Sequence, residues 1–117
     1  METHHIQTAR HQRGTYLRPH RHNGPGTGFE CFLMLQGTIE LLLFNSEGDI
    51  HQQLHLSAKR PTHGIEIAED QFHTLVALEA DSVIFELKLG LYQPAQDKDF
   101  LNTTEAAMQE SQWRDLL

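Results

Sequence analysis

From Thr15 to Lys88 the chain alternates short runs of strand-favouring residues with clusters of turn formers, and this rhythm does most to narrow its fold. The runs are Thr15 to His22, Glu30 to Leu35, Thr38 to Phe44, Ile50 to Leu56, Gly64 to Ile67, His73 to Leu78 and Ser82 to Lys88. Between them stand Gly24-Pro25-Gly26, Gln36-Gly37, Asn45-Ser46-Glu47-Gly48-Asp49, Pro61-Thr62-His63-Gly64, Glu69-Asp70 and Glu79-Ala80-Asp81. Gly, Pro, Asn and Asp supply the dihedrals that reverse a chain. Short strands at this spacing predict an all-β sandwich or barrel.

A chain of 117 residues with 38% apolar content fits one domain with a modest core. The expected organisation is a single domain over 1–117, with a barrel core at about residues 14–92 and an extension over 93–117. The polar, His-rich residues 1 to 13 suit an edge strand only if a sheet or partner holds them. Past Pro94, Asp97-Lys98-Asp99 reads as a solvated loop, and Thr103 or Thr104 is placed to cap a short helix through Trp113.

Nine basic against sixteen acidic residues give a formal charge of −7, with no basic stripe to neutralise phosphates, so no nucleic-acid partner is expected. Arg10, Arg13, Arg18 and Arg21 are a local exception, either facing an anionic small molecule or lying as solvated charges near a barrel mouth. The single Cys31 cannot form an internal disulfide, and the N-terminus lacks the basic start and apolar stretch of a secretory signal, so a cytoplasmic protein is expected. The longest apolar run, Ile39 to Phe44, is broken by Glu40 and is too short to span a bilayer, so no membrane segment is expected.

His20 and His22 stand two apart in the first run. In a strand such side chains leave one face, with origins about 6.6 Å apart. Glu30 and His73 complete three imidazoles and a carboxylate, a set that suits one divalent transition metal (Zn, Fe, Mn, Ni or Co) better than Ca or Mg. Nine His will produce some such pairs by chance, so unrelated surface or core histidines are the plain alternative. Glycine framing favours the site, with Gly14 ahead of His20 and Gly37 behind Glu30.

At these residues the chain resembles the cupin superfamily, whose first motif runs glycine, His-x-His, glutamate, glycine. Gly14, His20, His22, Glu30 and Gly37 match it, with the Gly-Pro-rich Asn23 to Phe29 forming a longer hairpin loop before Glu30. Of the second motif, Gly64 and His73 are present, while Ala68, Asp70 and Ala77 replace its Pro, Gly and Asn. A closer resemblance is to the small WbuC-type cupins of polysaccharide gene clusters. It rests on Tyr16-Leu17-Arg18-Pro19-His20-Arg21-His22, Glu30-Cys31-Phe32-Leu33-Met34-Leu35-Gln36-Gly37, Phe72-His73 and Phe85-Glu86-Leu87-Lys88-Leu89-Gly90-Leu91-Tyr92. Leu91 stands where relatives often have Pro, and the match spans roughly residues 11 to 105. The resemblance implies a cupin double-stranded β-helix (a jelly-roll barrel) with a short C-terminal helix or tail, a sugar or polysaccharide precursor as ligand, and a homodimer.

If Thr15 to His22 is one strand, Tyr16 and Arg18 share the face of His20 and His22, inside the barrel beside the metal, while Leu17, Pro19 and Arg21 take the other. Arg18 then offers a planar fork to a carboxylate, phosphate or sugar oxygen, and Tyr16 a hydroxyl that can transfer a proton, unless each serves only an internal network. Phe32, Met34, Leu42, Phe44, Leu75 and Ala77 are expected as apolar walls. Glu86 and Lys88 share a face opposite Val83, Phe85 and Leu87, and periodicity leaves open whether they look in, as proton-handling groups, or out, as an exposed pair. His63, near a turn, is either a group at the mouth or a surface histidine.

Such a metal polarises a carbonyl or vicinal diol oxygen, acidifies a bound water or, as iron, handles oxygen. The expected function is therefore metal-dependent chemistry on a small molecule, of isomerase or epimerase type. A non-haem iron dioxygenase and a non-catalytic metal-dependent binding module are the alternatives.

Overall fold

The computed structural model describes residues 4–17, 19–22, 29–68, 70–89 and 98–100, except for the side chains of 4, 5, 22, 89 and 98–100. Among the described residues nine strands run in chain order: β1 (His4–His11), β2 (His20–His22), β3 (Glu30–Gln36), β4 (Thr38–Phe44), β5 (Ile50–Ser57), β6 (Gly64–Ile67), β7 (Phe72–Ala77), β8 (Ser82–Leu89) and β9 (Lys98–Phe100). They form two antiparallel sheets, one ordered β1-β8-β3-β6 and the other β5-β4-β7-β2-β9. Among the described residues no helix is long and apolar enough to cross a membrane.

Alternation sorts the side chains onto faces. Ile39, Leu41 and Leu43 of β4 pair with Ala77, Leu75 and His73 of β7. Leu41, Leu43 and Leu75 join Phe32, Met34, Ile67 and Ile84 from the facing sheet in one buried cluster. Each such aliphatic side chain contributes about 1.5–3 kcal/mol by leaving water. The other face of the second sheet carries a separate cluster of Leu42, Phe44, Phe72 and Val76. Leu42 and Phe44, expected as walls of the site, therefore lie outside it, because Leu43 is the residue that pairs with His73. On that outer face Glu40 is buried, its carboxylate accepting from Gln53 Nε2 at 2.9 Å and lying 2.7 Å from His55 Nδ1.

Gly37 alone joins β3 to β4 and so turns the chain from one sheet to the other. Its φ is +79°, and a Cβ there would come within 2.9 Å of Ser82 Cα, so this corner requires glycine. Ser82 Oγ in turn donates to Glu79 O at 2.8 Å, fixing the turn into β8 against the same corner.

The N-terminal His4–His11 is an edge strand, as expected where a sheet holds it, and is paired along its length with β8. Two other expectations change. Lys98 and Asp99, expected within a solvated loop, instead pair with β2 as part of β9. The expected Thr15 to His22 strand is divided: Tyr16 makes only an isolated bridge to Val76, and β2 begins at His20. Pro19 lies between them and cannot donate a ladder hydrogen bond. The expected helix through Trp113 lies outside the described residues.

Candidate metal centre

Strand register carries the site residues to one end of the barrel interior. Glu30, Phe32 and Met34 on β3 face Lys88, Glu86 and Ile84 on β8. Since Phe32, Met34 and Ile84 belong to the inter-sheet core, Glu30, Glu86 and Lys88 point inward with them. This decides the face left open by the sequence. On the facing sheet, His73 pairs with Leu43 and with His20, so both imidazoles look into the same space.

The groups are sequestered: His20, Glu30, His73 and Lys88 are between 2% and 8% exposed, too little for water to solvate their polar atoms. His73 Nε2 lies 3.1 Å from Glu30 Oε1, which bridges the two sheets. The His20 and His73 rings stand 4.6 Å apart between centroids, inclined at 52°. Phe32 presents its ring edge-on to His73 at 6.1 Å and forms one apolar wall. Glu86 accepts from Gln7 Nε2 at 2.6 Å, so β1 steadies its carboxylate.

His73 has a defined orientation. Its Nδ1 lies 2.8 Å from the Gln71 carbonyl, to which it donates, leaving Nε2 directed at Glu30. Two donors bound to one transition metal at about 2.1 Å stand about 3.0–3.4 Å apart, so the His73 to Glu30 spacing is that of neighbouring ligands. Two nitrogens and a carboxylate oxygen fit a metal of the Zn, Fe, Mn, Ni or Co group. They meet as pairs: among the described residues no trio of His, Cys, Asp and Glu side chains closes to metal-holding distances. The His22 side chain, the fourth ligand expected from the sequence, lies outside the described residues.

Tyr16 does not share this space. From Tyr16, opposite Val76, to His20, opposite His73, the chain is one residue longer than its partner strand. Val76 and His73 are three apart on β7 and take opposite faces, so Tyr16 and His20 do too. Tyr16 packs on the outer cluster, and the expectation that it stands beside His20 is corrected by this extra residue. Arg18, within the same stretch, lies outside the described residues. Cys31 is half-buried on the outer face opposite Leu87 and Glu66, and burial, then Glu66 and Glu30, push its thiol pKa up, as suits an inert thiol. His63 is exposed, with Nδ1 3.1 Å from Arg60 O, which suits a surface histidine.

Comparison with known proteins agrees on architecture. The model of a family described as a domain of unknown function, DUF6016, matches residues 2–56, and no curated protein matches the chain. Among solved structures, ChmJ, a 3'-monoepimerase from Streptomyces bikiniensis seen with dTDP-quinovose, superposes with a TM-score of 0.74 at 15% identity, covering 86% of this chain and 52% of that one. The rmlC epimerase of Mycobacterium tuberculosis gives 0.71 at 16% identity, covering 87% and 54%. KdgF from Halomonas sp. gives 0.62 at 22% identity, covering 77% and 72%. The chain thus spans about half the length of the two epimerases. These are cupin-fold proteins, and the two antiparallel sheets described above are the cupin double-stranded β-helix.

Proposed function

We propose that this chain is a metal-dependent cupin of the WbuC type that acts on a sugar or polysaccharide precursor by isomerase or epimerase chemistry, with His20, His22, Glu30 and His73 as the metal ligands. The observation that carries the reading is the inward placement of His20, Glu30 and His73 at one end of the barrel, where His73 Nε2 lies 3.1 Å from Glu30 Oε1 and the His20 ring stands beside that of His73. The structural neighbours include sugar epimerases, which supports the choice of ligand class.

When bound, a divalent metal would supply a Lewis acid that stabilises negative charge developing on a carbonyl or diol oxygen. The residues of the chain do the remainder. Lys88, directly across β3/β8 from Glu30, is an ammonium group in a largely dry interior, placed to hold an oxyanion or a ligand carboxylate. Glu86, held by Gln7, is a carboxylate placed to take or return a proton. Arg18 is assigned the recognition of an anionic group on the ligand, from its sequence position ahead of His20. Phe32, Leu41 and Leu43 exclude water from the inner end. The working unit is a cytoplasmic homodimer.

The test is incubation with nucleotide sugars in deuterated solvent. The reading expects deuterium at a sugar carbon, abolished by Glu86→Gln. Oxygen consumption without exchange would replace it with the dioxygenase reading, and tight binding without turnover with a binding module.

A further inference from the structure

Gln71 sits at the turn into β7, where Asp70 adopts a φ of +64° and Gln71 N–H closes the turn on Ala68 O at 3.3 Å. Its side-chain Nε2 donates to two backbone carbonyls, Phe44 O and Phe72 O, each at 2.8 Å. Only the nitrogen end can face two carbonyl oxygens, so the orientation of the amide is determined, with Oε1 turned toward His51 Nε2 at 3.4 Å. Phe44 and Phe72 are partners at the end of the β4/β7 ladder, so the amide staples that end from its outer side. The backbone carbonyl of the same residue takes the His73 Nδ1 proton.

We propose that Gln71 is a positioning residue: its side chain fixes the start of β7, and thereby the carbonyl that holds the His73 proton on Nδ1 and turns Nε2 toward Glu30. A ring nitrogen is available to a metal or to a proton only when the other is committed elsewhere, and the partner that commits it tunes the site without touching the ligand. The residue works from outside the barrel on a group inside it. The consequence for metal binding rests on the proposed function; the role of Gln71 on the His73 ring does not.

The experiment is nitrogen NMR of the full-length labelled chain without metal, the His73 ring signals being assigned by their loss in His73→Ala. The parent should show a His73 Nδ1–H and a Gln71 side-chain amide that both exchange slowly with solvent. Gln71→Met and Gln71→Glu should lose the protection of Nδ1–H and bind Zn2+ about 10–100-fold more weakly. A purely structural role would lower the melting temperature and leave the Nδ1–H signal in place, and that result overturns the proposal. So does a parent in which His73 carries no Nδ1 proton or the Gln71 amide exchanges as an exposed one, a reading that needs no variant to fold. If the ring signals respond as expected but the parent binds no Zn2+, the metal reading falls and the role of Gln71 stands.

Discussion

His73 on β7 and Glu30 on β3 meet at 3.1 Å across the barrel, and neither strand is at the edge of its sheet. Each is buried and each is held from behind, His73 by the Gln71 carbonyl and Glu30 by its place opposite Lys88 and Ile67. The barrel interior is thus divided lengthwise, polar at this end and apolar from Met34 and Ile84 onward.

Lys88 brings the compensating positive charge to a site with two inward carboxylates, Glu30 and Glu86. Lys88→Met should cost about 3–5 kcal/mol in urea denaturation, because it leaves buried negative charge without its cross-strand cation. Adding Glu30→Gln should recover part of the loss. A single variant as stable as the parent would show that Lys88 takes no part in that balance.

The face assignment separates leucines that look alike in sequence. Leu41 is fully buried between the sheets and Leu33 is 40% exposed on the outer face of its sheet. Leu41→Ala should cost about 2–5 kcal/mol by leaving a cavity, and Leu33→Ala under about 1 kcal/mol. Equal losses in thermal unfolding would mean that the register of β3 or β4 is wrong.

Gly37→Ala places a Cβ against Ser82 at a left-handed φ. The expected loss is about 1–3 kcal/mol, measured by chemical denaturation, with no change at the site itself. A neutral substitution would indicate that the corner between the sheets can open.

Asp81 holds the turn before β8, and hydrogen bonds from Gln12 and then Arg10 lower its pKa below the ordinary 3.8. A carboxylate with a lowered folded-state value adds stability that is fully present above pH 3.8 and is lost as pH falls through the lowered value. Asp81→Asn, which tolerates the φ of +57°, should make stability depend less steeply on pH below that point and leave the slope near neutrality unchanged. An identical acid limb in the two proteins would contradict the assignment.

Much of the barrel was legible in the sequence because its turns are chemically explicit: Gln36-Gly37, Asn45 to Asp49 and Glu79 to Asp81 each end a strand where expected. Glu30 and His73 stand out in the sequence by their ligand chemistry and motif spacing, and the structure brings the two side chains together because each opens or nearly opens its strand. Tyr16 was misplaced because a one-residue excess between paired strands leaves no mark in residue alternation, though Pro19 signals the break. Neither the inward face of Glu86 and Lys88 nor the clamp made by Gln71 has a local signature. Both follow from pairings with residues far along the chain, β8 with β3 and Gln71 with Phe44. Asp97-Lys98-Asp99 reads as loop because its charges mask the strand Lys98–Phe100, which is defined by its partner β2.

The most direct test of the account is the metal stoichiometry of the purified chain, measured by elemental analysis after loading with Zn2+ and exhaustive dialysis, beside His20→Ala, His22→Ala, Glu30→Gln and His73→Ala. One equivalent of metal per chain, lost in each of the four variants while the β-sheet circular dichroism is kept, is the predicted result. A parent that retains no metal, or variants that retain as much as the parent, would contradict it.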